Sequence, residues 1–225
     1  MTRGDERSPG MSGKWWLAAV LAFAAMPALA QSPNEFVQQT AELLDQQLEG
    51  RKEELASNRQ ALYDLIDEIL LPRFDRRYAA QLVLGRHWRS ASEEQRQRFI
   101  EAFYRAMLRK YAEGVLEFDM SQLRILPYRG DESEERTMVR TTVRLDDGTS
   151  VPVDYALIRR DSEWKVFDVR IEGISYVRRF RTEFNNEIQA TSLDAVIQRL
   201  EREARAPAGE EPEITPGEAG RDTGA

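Results

Sequence analysis

The sequence has 225 residues, with 39 Asp and Glu against 32 Lys and Arg for a formal net charge of −7, no cysteine and one histidine. The acidic balance argues against nucleic acid as a general partner. Without cysteine there are no disulfides and no thiol catalysis, and a lone histidine rules out a two-histidine zinc site within one chain.

Residues 1–30 carry Arg3, Arg7 and Lys14, then an apolar run from Trp15 to Met26, then Pro27 and Ala28-Leu29-Ala30. The pattern reads as a cleavable secretory signal peptide, cut between Ala30 and Gln31, with Met11 as a second possible start. The run is shorter than the roughly 20 residues of a membrane span. An uncleaved N-terminal anchor is the alternative. Position 31 is not cysteine, which argues against a lipoprotein. At the other end, residues 205–225 are rich in Pro, Gly and Glu and read as a disordered acidic tail. This leaves 31–204 as one domain with room for a substantial core.

The domain opens with an amphipathic helix over Asn34–Leu48, started by Pro33 and striped by Phe36, Val37, Leu43, Leu44 and Leu48. Leu62, Leu65, Ile66 and Ile69 form a further stripe that stops at Leu71-Pro72. Asp75 is placed to cap a short helix burying Tyr78, Leu82 and Val83 and ending at Gly85. Residues 84–88 read as a connector. Ser92 and Gln95 then form a capping box that opens a helix carrying Phe99, Phe103, Met107 and Tyr111, with Ile100 and Leu108 beside them.

From Leu123 the apolar period becomes two. Strands are expected over Gln122–Tyr128, Arg136–Leu145, Ser150–Arg160 and Glu163–Ile171, joined by tight turns at Asp146-Asp147-Gly148 and Asp161-Ser162. Val139, Thr141 and Val143 share a face, as do Val153, Tyr155 and Leu157, so one side of an antiparallel sheet needs cover. Pro152 suggests an edge or bulge near the start of its strand.

After Gly173 the period returns to helical through Val177, Phe180, Phe184 and Ile188, with Ser175 as the cap and Glu172 just ahead of it favouring the helix N-terminus. A last helix starts at Thr191-Ser192 and carries Leu193, Val196, Ile197 and Leu200. The expected class is α+β: a curved antiparallel sheet of about four strands, covered by helices from the N-terminal half and the C-terminal end, with an apolar pocket between. Its outline is similar to nuclear-transport-factor-like (NTF2-like) folds, an analogy at fold level only.

Catalytic options are few. His87, between Arg86 and Trp88, reads as a packed or solvated loop residue. There is no phosphate-cradling glycine loop and no nucleophile elbow. Asp154 and Asp168, set within strands among apolar neighbours, are the remaining carboxylates for a small enzyme. Arg170, Arg178, Arg179 and Arg181 form a basic run: a solvated face, or a docking patch for an acidic partner or lipid phosphates.

The stretch W-K-V-F-D-V-R-I-E-G-I-S-Y-V-x-x-F-R-x-E-F from Trp164 to Phe184 resembles the signature of the MlaC family, periplasmic phospholipid carriers also described as toluene-tolerance auxiliary components. Leu70-Leu71-Pro72-Arg73-Phe74-Asp75, Leu82-Val83-Leu84-Gly85-x-x-Trp88-x-x-Ala91-x-x-x-Gln95 and Phe99-x-x-x-Phe103-x-x-x-Met107-x-x-x-Tyr111 follow the same pattern in the same order. The resemblance spans most of 34–204, with Tyr176 departing from a commonly aliphatic position and the acidic tail lying outside it.

It implies a monomeric periplasmic carrier, not an enzyme, with no cofactor beyond its phospholipid cargo. The carrier would pass lipid between an outer-membrane lipoprotein complex and an inner-membrane ABC transporter, maintaining outer-membrane lipid asymmetry. Headgroups would stay outside and be weakly selected. At ~0.8 kcal/mol per CH₂, a chain of about 16 carbons left in water costs on the order of 10 kcal/mol, so such a carrier must enclose its tails. The wall available for this is Phe74, Leu84, Trp88, Phe99, Phe103, Met107, Tyr111, Val153, Tyr155, Val166, Val169, Phe180 and Phe184. A periplasmic adaptor that binds only protein is a further reading.

Overall fold

The longer helices begin at side chains that satisfy their exposed backbone donors. The computed structural model describes residues 31–205 apart from Glu132; the signal-peptide and tail assignments lie outside the described residues, except for Arg205. Ser32 and Glu35 form a capping box with Pro33 in the first turn, opening α1 (Pro33–Leu48). Asn58 caps α3 (Arg59–Ile69), which follows the short α2 (Lys52–Ser57). Asp75 caps α4 (Arg76–Leu84), and Gly85, at φ +53°, ends it. The stretch expected as a connector holds a helix of its own, α5 (Arg86–Ser90), because Gly85 turns the chain sharply enough to restart it at once. The Ser92–Gln95 capping box opens α6 (Glu93–Leu116), Ser175 caps α7 (Tyr176–Ala190), and α8 (Leu193–Arg205) closes the domain.

The sheet has five antiparallel strands in the order β1-β2-β3-β4-β5, one more than the expected four. They are β1 (Leu123–Ile125), β2 (Arg136–Arg144), β3 (Ser150–Arg160), β4 (Glu163–Ile171) and β5 (Ile174–Ser175). The first is shorter than its apolar pattern predicts: Gln122 belongs to a 3₁₀ turn, and Pro127 has no N–H to extend the ladder. Asp161 and Ser162 both take positive φ, as do Glu172 and Gly173. Such pairs make the tight turns whose twist matches antiparallel strands. Glu172 therefore sits at a hairpin tip and not over the helix end, as the sequence had suggested.

The ladder irregularity lies between Ala156 and Leu157, not near Pro152. Leu157 pairs with Val166 and Ala156 with Asp168, so Phe167 is the extra residue of a bulge that bends β4. The open edge of β4 is covered by β5 and, at the bulge, by Phe74, which bridges to Val166; the Asp75 N–H donates to the Val166 carbonyl at 2.8 Å.

Three apolar clusters fill the interior. Phe36 and Val37 of α1 pack on Val139, Leu157 and Trp164 of the sheet. Leu48, Leu55, Leu62, Leu65 and Ile69 join Leu108 and Ala112 of α6. Val83, Leu84, Trp88, Phe99, Phe180, Phe184, Val196, Ile197 and Leu200 make the third, where α6 and α7 meet α8. The last two clusters do not close on each other across β4, and the gap between them is the feature of interest.

Candidate functional site

That gap is a cavity of about 420 Å³, within the range of about 300–1,000 Å³ typical of small-molecule sites. Two neighbouring rows of α6 line it, Phe103, Met107 and Tyr111 in one and Tyr104, Leu108, Ala112 and Val115 in the other. Residues three and four apart lie on one face of a helix, so a 24-residue helix can run a wall the length of the cavity. Tyr176, Val177 and Phe180 of α7 face it, β4 supplies Phe167, Asp168, Val169 and Ile171, and Ile66, Leu70, Phe74, Arg76, Ala79 and Ile100 complete the wall.

Three of the polar side chains on this wall, Tyr104, Arg76 and Asp168, are engaged with protein. The Tyr104 hydroxyl donates to Asp67 Oδ1 at 2.6 Å, which Arg105 also binds through Oδ2 at 2.6 Å, so the tyrosine offers the cavity its ring. Burial, reinforced by that bond to Asp67, pushes the Tyr104 hydroxyl well above the usual phenol range. Arg76 pairs with Glu101 at 3.1 Å and lies 5.0 Å over the Tyr104 ring. Asp168, 5% exposed, accepts from the Ser175 hydroxyl at 2.6 Å and the Val177 N–H at 3.0 Å. Its carboxylate is thus a helix cap held beside Arg170, whose Nε lies 3.8 Å away.

A chain of aromatic contacts leads from solid core to cavity rim. Phe99 stacks on Phe103 at 5.5 Å, Phe103 meets Phe180 edge-on at 5.3 Å, and Tyr111 meets Tyr176 at 6.0 Å. Tyr111 is 39% exposed, so the cavity reaches the surface beside it.

Of the thirteen wall residues named from sequence, Phe74, Phe103, Met107, Tyr111, Val169 and Phe180 line this space. Leu84, Trp88, Phe99 and Phe184 lie instead in the filled cluster of the helices, where Trp88 sits between the guanidinium groups of Arg77 and Arg96. Tyr155 and Val166 pack with α1, and Val153 pairs with Thr141 in the sheet. Absent from those thirteen are the second row of α6, of which only Leu108 stands out beside the stripe in sequence, and Phe167 and Tyr176. The row was legible as an apolar run at helical spacing; Phe167 was not, since only the bulge brings it there.

The remaining candidates have structural surroundings. Asp154 lies in register between Arg140 and Arg170. His87 Nε2 is 3.1 Å from Asn185 Oδ1 and links α5 to α7. Among the described residues there is no group of three or more His, Cys, Asp or Glu placed to hold a metal, and no helix long and apolar enough to cross a membrane.

Comparison with known proteins gives concordant matches. The family model described as MlaC protein matches residues 38–202. Toluene tolerance protein ttg2D of Pseudomonas putida is 32% identical over 179 residues, covering 79% of this chain and 83% of that protein. The intermembrane phospholipid transport system binding protein MlaC of Haemophilus influenzae is 23% identical over 202 residues, covering 86% and 94%. Among solved structures, a phospholipid-binding protein from Ralstonia solanacearum in complex with a phospholipid superposes with a TM-score of 0.69 at 24% identity, covering 78% of this chain and 96% of that one.

Proposed function

The chain belongs to the MlaC family, and from that membership we propose that it is a phospholipid carrier whose cavity shelters acyl chains from water. The observation that carries this reading is the cavity of about 420 Å³ between α6, α7 and β4, walled almost wholly by apolar side chains. A solid domain of this size has no use for such a gap, because each lining atom forfeits dispersion contacts on its open side. An acyl chain restores them, and at ~0.8 kcal/mol per buried CH₂ a chain of about 16 carbons gains on the order of 10 kcal/mol over exposure to water.

The protein acts by binding and release. The one carboxylate on the wall with strand neighbours, Asp168, spends its oxygens on Ser175 and Val177, which favours a carrier over an enzyme. The carrier works in the periplasm, reached through the signal peptide of residues 1–30. There it passes lipid between an outer-membrane lipoprotein complex and an inner-membrane ABC transporter, and so sustains outer-membrane lipid asymmetry. The name of the Haemophilus influenzae relative, which places that protein in an intermembrane phospholipid transport system, supports this part of the proposal.

Protein secreted by a bacterial host and purified without detergent is expected to carry phospholipid at close to one molecule per chain, read by native mass spectrometry and by solvent extraction. Protein that emerges free of lipid under those conditions overturns the proposal.

A further inference from the structure

An exposed cation lies beside each of the two rings at which the cavity meets solvent. The rim is the edge-to-face pair Tyr111 and Tyr176. Lys110 Nζ lies 5.6 Å from the centroid of the Tyr111 ring, and the Arg179 guanidinium carbon lies 5.8 Å from that of Tyr176. The neighbouring Arg181 is directed elsewhere. The Arg181 guanidinium covers Gly85 so closely that a Cβ there would come within 2.8 Å of its Nε. Glu183 of α7 also acts on the Tyr111 hydroxyl, with the sign opposite to that of Arg179.

Arg179 stands near the start of α7, whose exposed N–H end Asp168 already caps, and it brings a positive charge to the rim in a chain that is otherwise net negative. An anion at the rim would be drawn to it. A lipid whose tails occupy the cavity brings one with it, since the glycerol that joins the tails also carries the phosphate.

We infer that Lys110 and Arg179 form a phosphate subsite at the rim, holding the phosphodiester of a lipid whose chains fill the cavity. This rests on the carrier reading of that cavity. Arg179 supplies the planar fork that matches phosphate oxygens, and Lys110 a mobile point charge. The protein thereby distinguishes phospholipid from an uncharged diacylglycerol with the same chains, while the alcohol beyond the phosphate goes unread.

The test compares delipidated wild type with a Lys110→Gln/Arg179→Gln double variant, titrating dioleoylphosphatidylglycerol, dioleoylglycerol and inorganic phosphate. The variant is expected to bind phosphatidylglycerol about tenfold more weakly, the scale of a charge-assisted hydrogen bond or two at a partly exposed site. Its affinity for dioleoylglycerol should hold, and the salt dependence of phosphatidylglycerol binding should shrink. Unchanged phosphatidylglycerol affinity, or equal loss for both lipids, overturns the inference. Saturable inorganic phosphate binding that the variant loses while keeping phosphatidylglycerol would assign these cations to free phosphate and overturn it too. Wild type that takes up neither lipid sinks the carrier reading itself, and the subsite with it.

Discussion

Asp168 joins the sheet to the helix that walls the cavity. Its two oxygens take the Ser175 hydroxyl and the Val177 N–H, and Ser175 Oγ in turn accepts from the Arg178 N–H at 3.1 Å. A charged acceptor at the positive end of a helix is favourable on both counts. The sequence pointed to Glu172 for this role because it is nearer the cap in the chain, but the two-residue return of β5 carries Glu172 out to an exposed tip. Asp168, seven residues before Ser175, is brought back underneath. Asp168→Ala removes both bonds and strands Ser175, so urea denaturation should show a loss of about 2–3 kcal/mol. Asp168→Asn keeps an acceptor oxygen and should lose less. An alanine variant within about 0.5 kcal/mol of wild type, the scatter of an ordinary surface change, would show that α7 is held by packing alone.

At the scale of elements, α6 is the longest piece and the one on which the cavity depends. Gly114 interrupts it near the rim, and a Cβ at that position would meet nothing within 4 Å. Gly114→Ala should therefore stabilise the protein by about 0.5–1 kcal/mol, through helix propensity and a less flexible unfolded chain; a lower midpoint in chemical denaturation would contradict this. The starts and stops of the helices were legible in sequence because they are local: Ser92 with Gln95, Asp75, Gly85 and Ser175 each act within a few residues. Depth was not legible. Phe99 and Phe103 are one turn apart on the same face of α6, yet Phe99 is fully buried in the cluster with α8 while Phe103 borders the cavity. What separates them is the position of α8, fixed by contacts far along the chain. The same holds for Phe167, whose place on the wall follows from one extra residue in β4 and leaves no mark on the alternation.

For the whole molecule, the arrangement is of filled clusters around an unfilled space, and this ties stability to cargo. A ligand that binds only the folded state adds RT ln(1 + [L]/Kd), about 2.7 kcal/mol at a hundredfold excess over Kd. In a domain of this size each kcal/mol moves the melting temperature by about 2–4 °C. Lipid-loaded protein should therefore melt about 5–10 °C above the delipidated form, and phospholipid added back should restore the difference, both read by calorimetry. Unfolding in the empty state should begin where the cavity leaves α7 least supported, so hydrogen exchange in Tyr176–Ala190 should quicken on delipidation while Val139 and Leu157, packed under α1, stay protected. Equal melting temperatures with and without lipid would mean that the space between α6, α7 and β4 does not hold the tails, since no cargo enclosed there could leave the folded state energetically unchanged.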